Sequence, residues 1–568
     1  MAYRRLGELL LAAGVITQEE LERGLALQKG TKKRLGQVLI ENKIISENSL
    51  IEALQMQLGI DYIDLTKVNI PTELAQQLPK NIAKQYQVVP VKVVKDELYL
   101  AMADPMNFYA VEEVRKAVRK KVVPMVARGT AIDHAIQTLY GNEGAARAIE
   151  DMKREASASN IEQTNDAAFA GNQLGDDSVN SAPTIRLVNS IIERAITEHA
   201  SDIHIEPREN EMKVRMRIDG LLRSILTIPR TVQGSVISRI KVMSGLDIAE
   251  RRIPQDGRFN VKIRDKDLDL RVSTLPTIYG EKIVARLLDK SGGHIDKKKI
   301  GLTGADLEKY EHLIRISNGV LLIVGPTGSG KSTTMYTMIN DLNTDEVNLV
   351  TLEDPVEYNT DGVNQVQINE KTGMTFASGL RAILRQDPDV IAVGEIRDGE
   401  TADIAMRSAI TGHVVLSTIH TNDAVGTIER LNDIGCEPFL IASALKGVIS
   451  QRLVRRICPG CRRPYTPTDE ELENLGVEPE DGLQFFRGIG CPDCFNTGFR
   501  GRIAVFEILT INKELRTLIG HKAERDDIEK VLKRPDSGFV SLHQNAVRLV
   551  REGITTSSEV LRVINESD

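Results

Sequence analysis

The stretch GVLLIVGPTGSGKSTTMYTMI, residues 319–339, restricts the possible folds more than any other part of this chain. A short apolar run reads as a buried strand, GPTGSGKS fits the spacing G-x-x-x-x-G-K-[ST], and a helical pattern follows. The loop has to join a strand to a helix N-terminus, where backbone N–H groups and the helix dipole favour phosphate. Gly325, Pro326, Thr327, Gly328, Ser329 and Gly330 are therefore expected around the phosphates of a nucleoside triphosphate, with Thr333 in the first helical turn. Lys331 is expected to reach the β- and γ-phosphates, and Ser332 to hold magnesium.

Downstream, PDVIAVGEIRD predicts a second apolar strand that ends near Glu395, where P-loop proteins keep a carboxylate for magnesium or the attacking water. TLEDPVEY follows the strand VNLVTL and clusters Glu353, Asp354 and Glu357. Carboxylates at strand ends can orient water or metal, and a solvated acidic turn is the plain alternative. His413 and His420 flank VVLSTI, and taken alone each reads as a core or turn histidine.

With 568 residues the chain has room for about three to five domains. Residues 1–58 have helical spacing, and 59–140 mix strands (VVPVKVV, ELYLAMA) with a helix (AVEEVRKAV). Residues 141–182 shift to Asn, Ser, Ala, Asp, Glu and Gly and read as a flexible linker. An α+β segment, 183–291, carries alternating strands such as MKVRMRI, and the P-loop unit fills 292–568. A net charge of −7 and a pI near 5.9 argue against a protein that coats nucleic acid. No apolar run approaches the roughly 18 residues of a membrane span, so a cytoplasmic protein is expected.

Four of the five cysteines form CPGC (Cys458, Cys461) and CPDC (Cys491, Cys494), the spacing of two knuckles of a tetrahedral zinc site. The expected zinc subdomain spans about 455–500, with redox pairs as the alternative and Cys436 as a small buried residue. At the N-terminus, RLGELLLAAGVITQEELERGLALQ from Arg5 and RLGQVLIENKIISENSLIEALQMQ from Arg34 agree at eight of 24 positions. Each copy reads as a short helix, a turn and a capped helix, with Thr17 and Glu20 as a capping box and Ser46 as the weaker counterpart.

TLEDPVEY, LRQDPDVIAVGEIRDGET and TGHVVLSTIHTND, in order after GPTGSGKS, resemble the Asp box, Walker B and His box of the secretion ATPases that power type II secretion and type IV pili. HASDIHIEP, RIDG and ERRIPQDGRF resemble that family's second N-terminal domain. The resemblance implies an α/β chain: a RecA-like P-loop ATPase domain, preceded by an α+β (PAS-like) domain and a mainly helical N-terminal sensor domain with a small α/β part. It implies an ATP-hydrolysing homohexamer at the inner face of the cytoplasmic membrane. Such a motor works on an inner-membrane platform protein, without spanning the membrane and without nucleic acid as substrate.

By the same resemblance Lys331 and Ser332 bind phosphate and magnesium, Glu353 activates water, Glu395 supports magnesium, and Asp354 lies beside the nucleotide. His413 and His420 become sensors of nucleotide state, and Arg217, Arg258 and Arg271 are candidates to act across a subunit interface. The tetracysteine site and long N-terminal extension resemble the extending rather than the retracting ATPases. Pilus assembly is the leading expectation, with the type II secretion ATPase as its main rival. Behind these two stand a nucleic-acid translocase and a nucleotide-binding scaffold without turnover.

The doubled phrase resembles a motif of which tandem copies bind cyclic di-GMP in some of these ATPases. Arg5, Leu6, Gly7, Leu10, Gly14, Leu21, Leu25 and Gln28 would form one half-site, and Arg34, Leu35, Gly36, Leu39, Leu50, Leu54 and Gln57 the other. Gly7 and Gly36 are expected to let the backbone approach the ligand. Lys43 stands where the first copy has Gly14. A helical hairpin that only docks partners is the alternative.

Overall fold

In a computed structural model the described residues are 6–28, 35–42, 60–65, 77–105, 107–141, 148–154, 181–263, 266–289, 296–491 and 494–565, with a few further positions between 44 and 74 and at 145. Two compact units divide the chain, the first drawn mainly from residues 1–194 and the second mainly from 195–568.

In the first unit the opening copy folds as helices Leu6–Ala12 and Gln18–Gln28. Thr17 N–H donates to Glu20 Oε2 (2.8 Å) and Glu20 N–H to Thr17 Oγ1 (3.3 Å), the expected capping box. Gly14 makes the turn at φ 67°. The second copy supplies helix Leu35–Glu41, and Leu10, Ile16 and Leu21 share one core with Leu39, Ile45 and Ala53. A Cβ on Gly7 would lie 2.7 Å from Leu21 Cδ1, and one on Gly24 would lie 2.5 Å from Leu39 Cδ2. The bare backbone of Gly7 thus faces a packed leucine. Leu25 is 42% exposed, whereas Leu21, one turn earlier, is buried. Arg5, Arg34, Lys43, Ser46, Leu50, Leu54 and Gln57 lie outside the described residues.

Strands β1 (Val88–Val94), β2 (Glu97–Met102) and β3 (Lys121–Val126) pair in that order beside helices Lys80–Tyr86, Phe108–Val118 and Gly129–Gly141. Residues 148–154 are helical with Ile149 and Met152 buried, which corrects the expectation of a linker starting at 141. Residues 155–180 lie outside the described residues.

In the second unit, β4 (Asp202–Pro207), β5 (Glu211–Ile218), β6 (Leu221–Pro229), β7 (Gln255–Ile263), β8 (Lys266–Thr277) and β9 (Gly280–Asp289) form a sheet in the order β6-β5-β4-β9-β8-β7. Along β5, Met212, Val214, Met216 and Ile218 are buried, while Lys213, Arg215 and Arg217 take the other face.

The P-loop part contains β10 (Gly319–Val324), β11 (Leu349–Glu353), β12 (Asn364–Gln367), β13 (Val390–Val393), β14 (Val414–Ile419) and β15 (Leu445–Ile457). A hairpin of β16 (Arg462–Tyr465) and β17 (Phe485–Gly488) follows, then β18 (Phe499–Thr510). The main sheet runs β12-β11-β13-β14-β10-β15-β18, parallel except for β18. Val320, Leu322 and Val324 join one core and Leu321 and Ile323 another, so β10 is covered on both faces. The α/β class and the antiparallel α+β sheet before it agree with the sequence reading.

Candidate functional site

Because β10, β11, β13 and β14 are parallel neighbours, the segments that follow them leave the sheet at one edge. That edge carries the P-loop, the acidic turn after Glu353, Glu395 and His420. Gly325 has φ 143°, and a Cβ there would lie 2.5 Å from Gln451 O and 2.6 Å from Ser329 Oγ, so only glycine fits. Gln451 on β15 braces the loop from behind. It donates to Ser329 O (2.8 Å) and accepts from Thr334 Oγ1 (2.7 Å). Pro326, Thr327, Gly328 and Ser332 are exposed and Thr333 is half-buried.

Lys331 opens helix Lys331–Leu342 and donates to Gly325 O (2.8 Å) and Pro326 O (3.1 Å). Burial pushes its pKa down to about 8, with Glu395 opposing and the Arg452 charge adding to the drop. His420 lies between two of these groups, with Nδ1 at 3.5 Å from Lys331 Nζ and Nε2 at 3.5 Å from Glu395 Oε2. Burial and the Lys331 ammonium hold this imidazole below its usual range, against the pull of Glu395. Glu395 also pairs with Arg397, and the exposed Asp354 acts on Arg397 through its charge.

His413 precedes β14: its carbonyl accepts from Gly319 N–H at the start of β10, and its Nδ1 lies 2.8 Å from Ser408 O. A strand length, about 20 Å at roughly 3.3 Å per residue, separates it from His420, so His413 is no part of this site. Glu353 is 3% exposed, and its carboxylate accepts from Tyr336 OH (2.5 Å), Thr351 Oγ1 (2.6 Å) and Gln365 Nε2 (3.2 Å). Burial and the adjacent Glu353 carboxylate raise the Tyr336 pKa well above its usual value. Glu353 is thus a buried, fully engaged acceptor at the end of β11. Glu357, four residues on, is about one-third exposed and faces Arg271 at 3.7 Å.

The arginine candidates lie in one row across the antiparallel sheet. Arg217 is opposite Asp202, Asp202 opposite Arg286, Arg286 opposite Arg271, and Arg271 opposite Arg258. Directly opposed residues share a face, so the row sets four arginines and Asp202 on one face of the sheet. Asp202 takes Arg286 at 3.0 Å and Arg217 at 3.7 Å, while Arg217 also donates to Gly220 O (2.8 Å). Arg271 donates to Val356 O in the acidic turn (3.3 Å). A cavity of about 600 Å³ lies there, lined by Arg258, Arg271, Arg286, Asp202 and Pro355 among others. Arg286, in the run EKIVARLLD, escaped the sequence reading because only strand register aligns it with the other three.

Away from this edge, Cys458, Cys461, Cys491 and Cys494 are all buried, and their sulfurs lie within 4.8 Å of one another. Cys461 N–H turns back to Cys458 O, and Cys494 N–H to Cys491 O, each at 3.2 Å. Cys491 Sγ and Cys494 Sγ are 3.7 Å apart, close to the roughly 3.8 Å edge of a tetrahedron with 2.3 Å zinc–sulfur bonds. None of the five cysteines is joined in a disulfide. Cys436 is buried, and burial pushes its thiol up to about 11.

The family model described as "Type II/IV secretion system protein" matches residues 177–562, and the model "MshEN domain" matches 58–146, just after the doubled stretch. The type IV pilus assembly ATPase PilB of Myxococcus xanthus is 39% identical over 98% of this chain and 98% of its own. Type II secretion system protein E of Pseudomonas aeruginosa is 41% identical over 88% of this chain and 99% of its own. Among solved structures, the ATPase DotB of Yersinia pseudotuberculosis matches 72% of this chain and all of its own, at TM-score 0.52 and 21% identity, a likeness of fold. No helix among the described residues is long and apolar enough to cross a membrane.

Proposed function

The chain belongs to the type II/IV secretion system protein family, and from that premise we propose that it is a hexameric motor ATPase that assembles a type IV pilus through an inner-membrane platform protein. The observation that carries the chemistry is the convergence of Lys331, Glu395 and His420 at the P-loop. Similarity to the Myxococcus pilus ATPase over both whole lengths supports pilus assembly. The 41% identity to the Pseudomonas secretion protein keeps type II secretion as the second reading. Identifying which platform protein co-purifies with the chain separates the two.

On ATP binding, Lys331 exchanges the carbonyls of Gly325 and Pro326 for phosphate oxygens. Arg258, Arg271 and Arg286 offer planar donor forks to charge developing on the γ-phosphoryl group. His420 contacts both Lys331 and Glu395, so loss of that group changes what the imidazole meets. Ser332 and Glu395 provide oxygen donors for magnesium, which neutralises phosphate charge when bound. Glu357 rather than Glu353 orients the attacking water, since Glu353 has both oxygens engaged inside the protein. Glu357→Gln is expected to lower kcat at least a hundredfold with ATP binding retained. Glu353→Gln should instead destabilise the fold by roughly 1–3 kcal/mol, the cost of a disrupted buried acceptor, read as a lower melting temperature. A dead Glu353→Gln chain with unchanged stability would return the base to Glu353.

The doubled stretch takes cyclic di-GMP, two similar half-sites gripping the two halves of a pseudo-symmetric dinucleotide. The adjoining MshEN match and the exposed Leu25 beside buried Leu21 support this reading. Arginine suits both phosphate and the face of guanine. Calorimetry on the full chain should detect binding, and Arg5→Ala or Arg34→Ala should weaken it more than tenfold, about 1.4 kcal/mol or more. Undetectable binding by the wild-type chain leaves the repeat as architecture alone.

A further inference from the structure

Three consecutive residues just after His420 are tied down by side chains from more distant parts of the chain. Arg452 on β15 donates to Asn422 O at 2.8 Å. Arg525, first residue of helix Arg525–Leu532, donates to Asp423 Oδ2 at 2.7 Å, while Asp423 Oδ1 accepts from Gly426 N–H at 2.6 Å. The third tie is Glu507, in the middle of the apolar run AVFEIL on β18 and 6% exposed. One of its oxygens accepts from Ala424 N–H (2.9 Å), the other from Leu542 N–H (2.9 Å), the first residue of helix Leu542–Arg551.

A carboxylate inside an apolar strand is costly unless its oxygens are satisfied, and here two backbone amides satisfy them. Capping alone does not account for it, because Ser541 and Gln544 already form a capping box at the start of that helix. What Glu507 adds is a join between two segments that are remote in sequence. Burial raises its carboxyl pKa, the two amides oppose that, and the charged groups acting on it are Asp423 and Arg525.

We propose that Glu507 is a positioning residue for turnover: its carboxylate couples the loop behind His420 to helix Leu542–Arg551, holding the imidazole where it meets Lys331 and Glu395. The inference rests on the ATPase reading. A nucleotide-driven shift of His420 would then pull on Ala424, and through Glu507 on the start of that helix. Asp423 and Arg525 carry the same movement to the helix Arg525–Leu532.

The test is ATP turnover by the full chain carrying Glu507→Gln, His420→Ala or both. A glutamine keeps one acceptor and turns an N–H₂ donor toward the other amide. Glu507→Gln should lower kcat at least tenfold with KM for ATP within about twofold, and in the His420→Ala background it should cause no further loss, since both changes disable one element. If the two losses multiply, Glu507 is merely structural and the inference fails, as it does if Glu507→Gln matches the wild type. Should Glu507→Gln not fold, Arg525→Gln carries the test, because Arg525 is partly exposed and its removal leaves Asp423 solvated. The same lack of additivity with His420→Ala supports the coupling, and multiplied losses overturn it. A wild-type chain without turnover would overturn the ATPase reading and the inference together, whereas turnover indifferent to these changes overturns the inference alone.

Discussion

Lys331→Ala is expected to abolish measurable ATP turnover and to weaken ATP binding at least a hundredfold, about 2.7 kcal/mol or more. The lysine is the one cation inside the loop's own curve, and it already donates to two carbonyls there that a phosphate would replace. Burial holds its pKa near about 8, so at pH 8 roughly half of the free sites carry a neutral amine. A bound polyphosphate favours the ammonium and raises that pKa. Binding at pH 8 therefore takes up about half a proton, while binding at pH 7 takes up almost none. Affinity is greatest below about pH 8 and falls as the pH rises through it, because the free site must first be protonated. Calorimetry in two buffers of different ionisation enthalpy reads the uptake, which Lys331→Ala should abolish. Equal binding by the two chains, or an uptake that survives the substitution, would show that another group controls the site.

Removing the metal from the cysteine cluster should have an effect of similar scale on folding. Four buried thiols within 4.8 Å of one another suit one zinc ion, and such a site contributes on the order of 10 kcal/mol to folding. Cys458 follows β15, Cys461 precedes β16, and Cys491 and Cys494 lie between β17 and β18. Metal analysis of chain purified without added zinc should find about one equivalent. Chelation, or Cys461→Ser, should expose the remaining thiols and open residues 455–500 to proteolysis while the P-loop sheet stays folded. Metal-free chain whose thiols stay protected would contradict this, and so would a chain whose four thiols titrate freely in the native state.

What could be read in advance divides by the range of the interactions involved. The strand, loop and helix around Lys331, the capping box at Thr17 and the two cysteine knuckles are set by residues a few positions apart, and local pattern revealed them. The roles of Glu353 and Glu357 depend on where Tyr336, Gln365 and Arg271 arrive in space, so TLEDPVEY alone could not separate them. His413 and His420 look equivalent as a flanking pair, yet a parallel strand carries its two ends to opposite edges of the sheet. Arg286 needed strand register. Glu507 left one usable trace, an acid inside an apolar strand, which seldom occurs without a partner.

The interlocking of the two N-terminal copies bears on how this segment can be inherited or transplanted. Leu39 of the second copy fills the space that Gly24 of the first leaves open, and both copies furnish the common core. Neither half is a module by itself: cut after the first copy, and Leu10 and Leu21 face water. A duplication of this kind, once its halves have grown into each other, can no longer lose one of them. Each copy is constrained at the positions its sibling touches. Anyone grafting this segment onto another motor has to move both copies together.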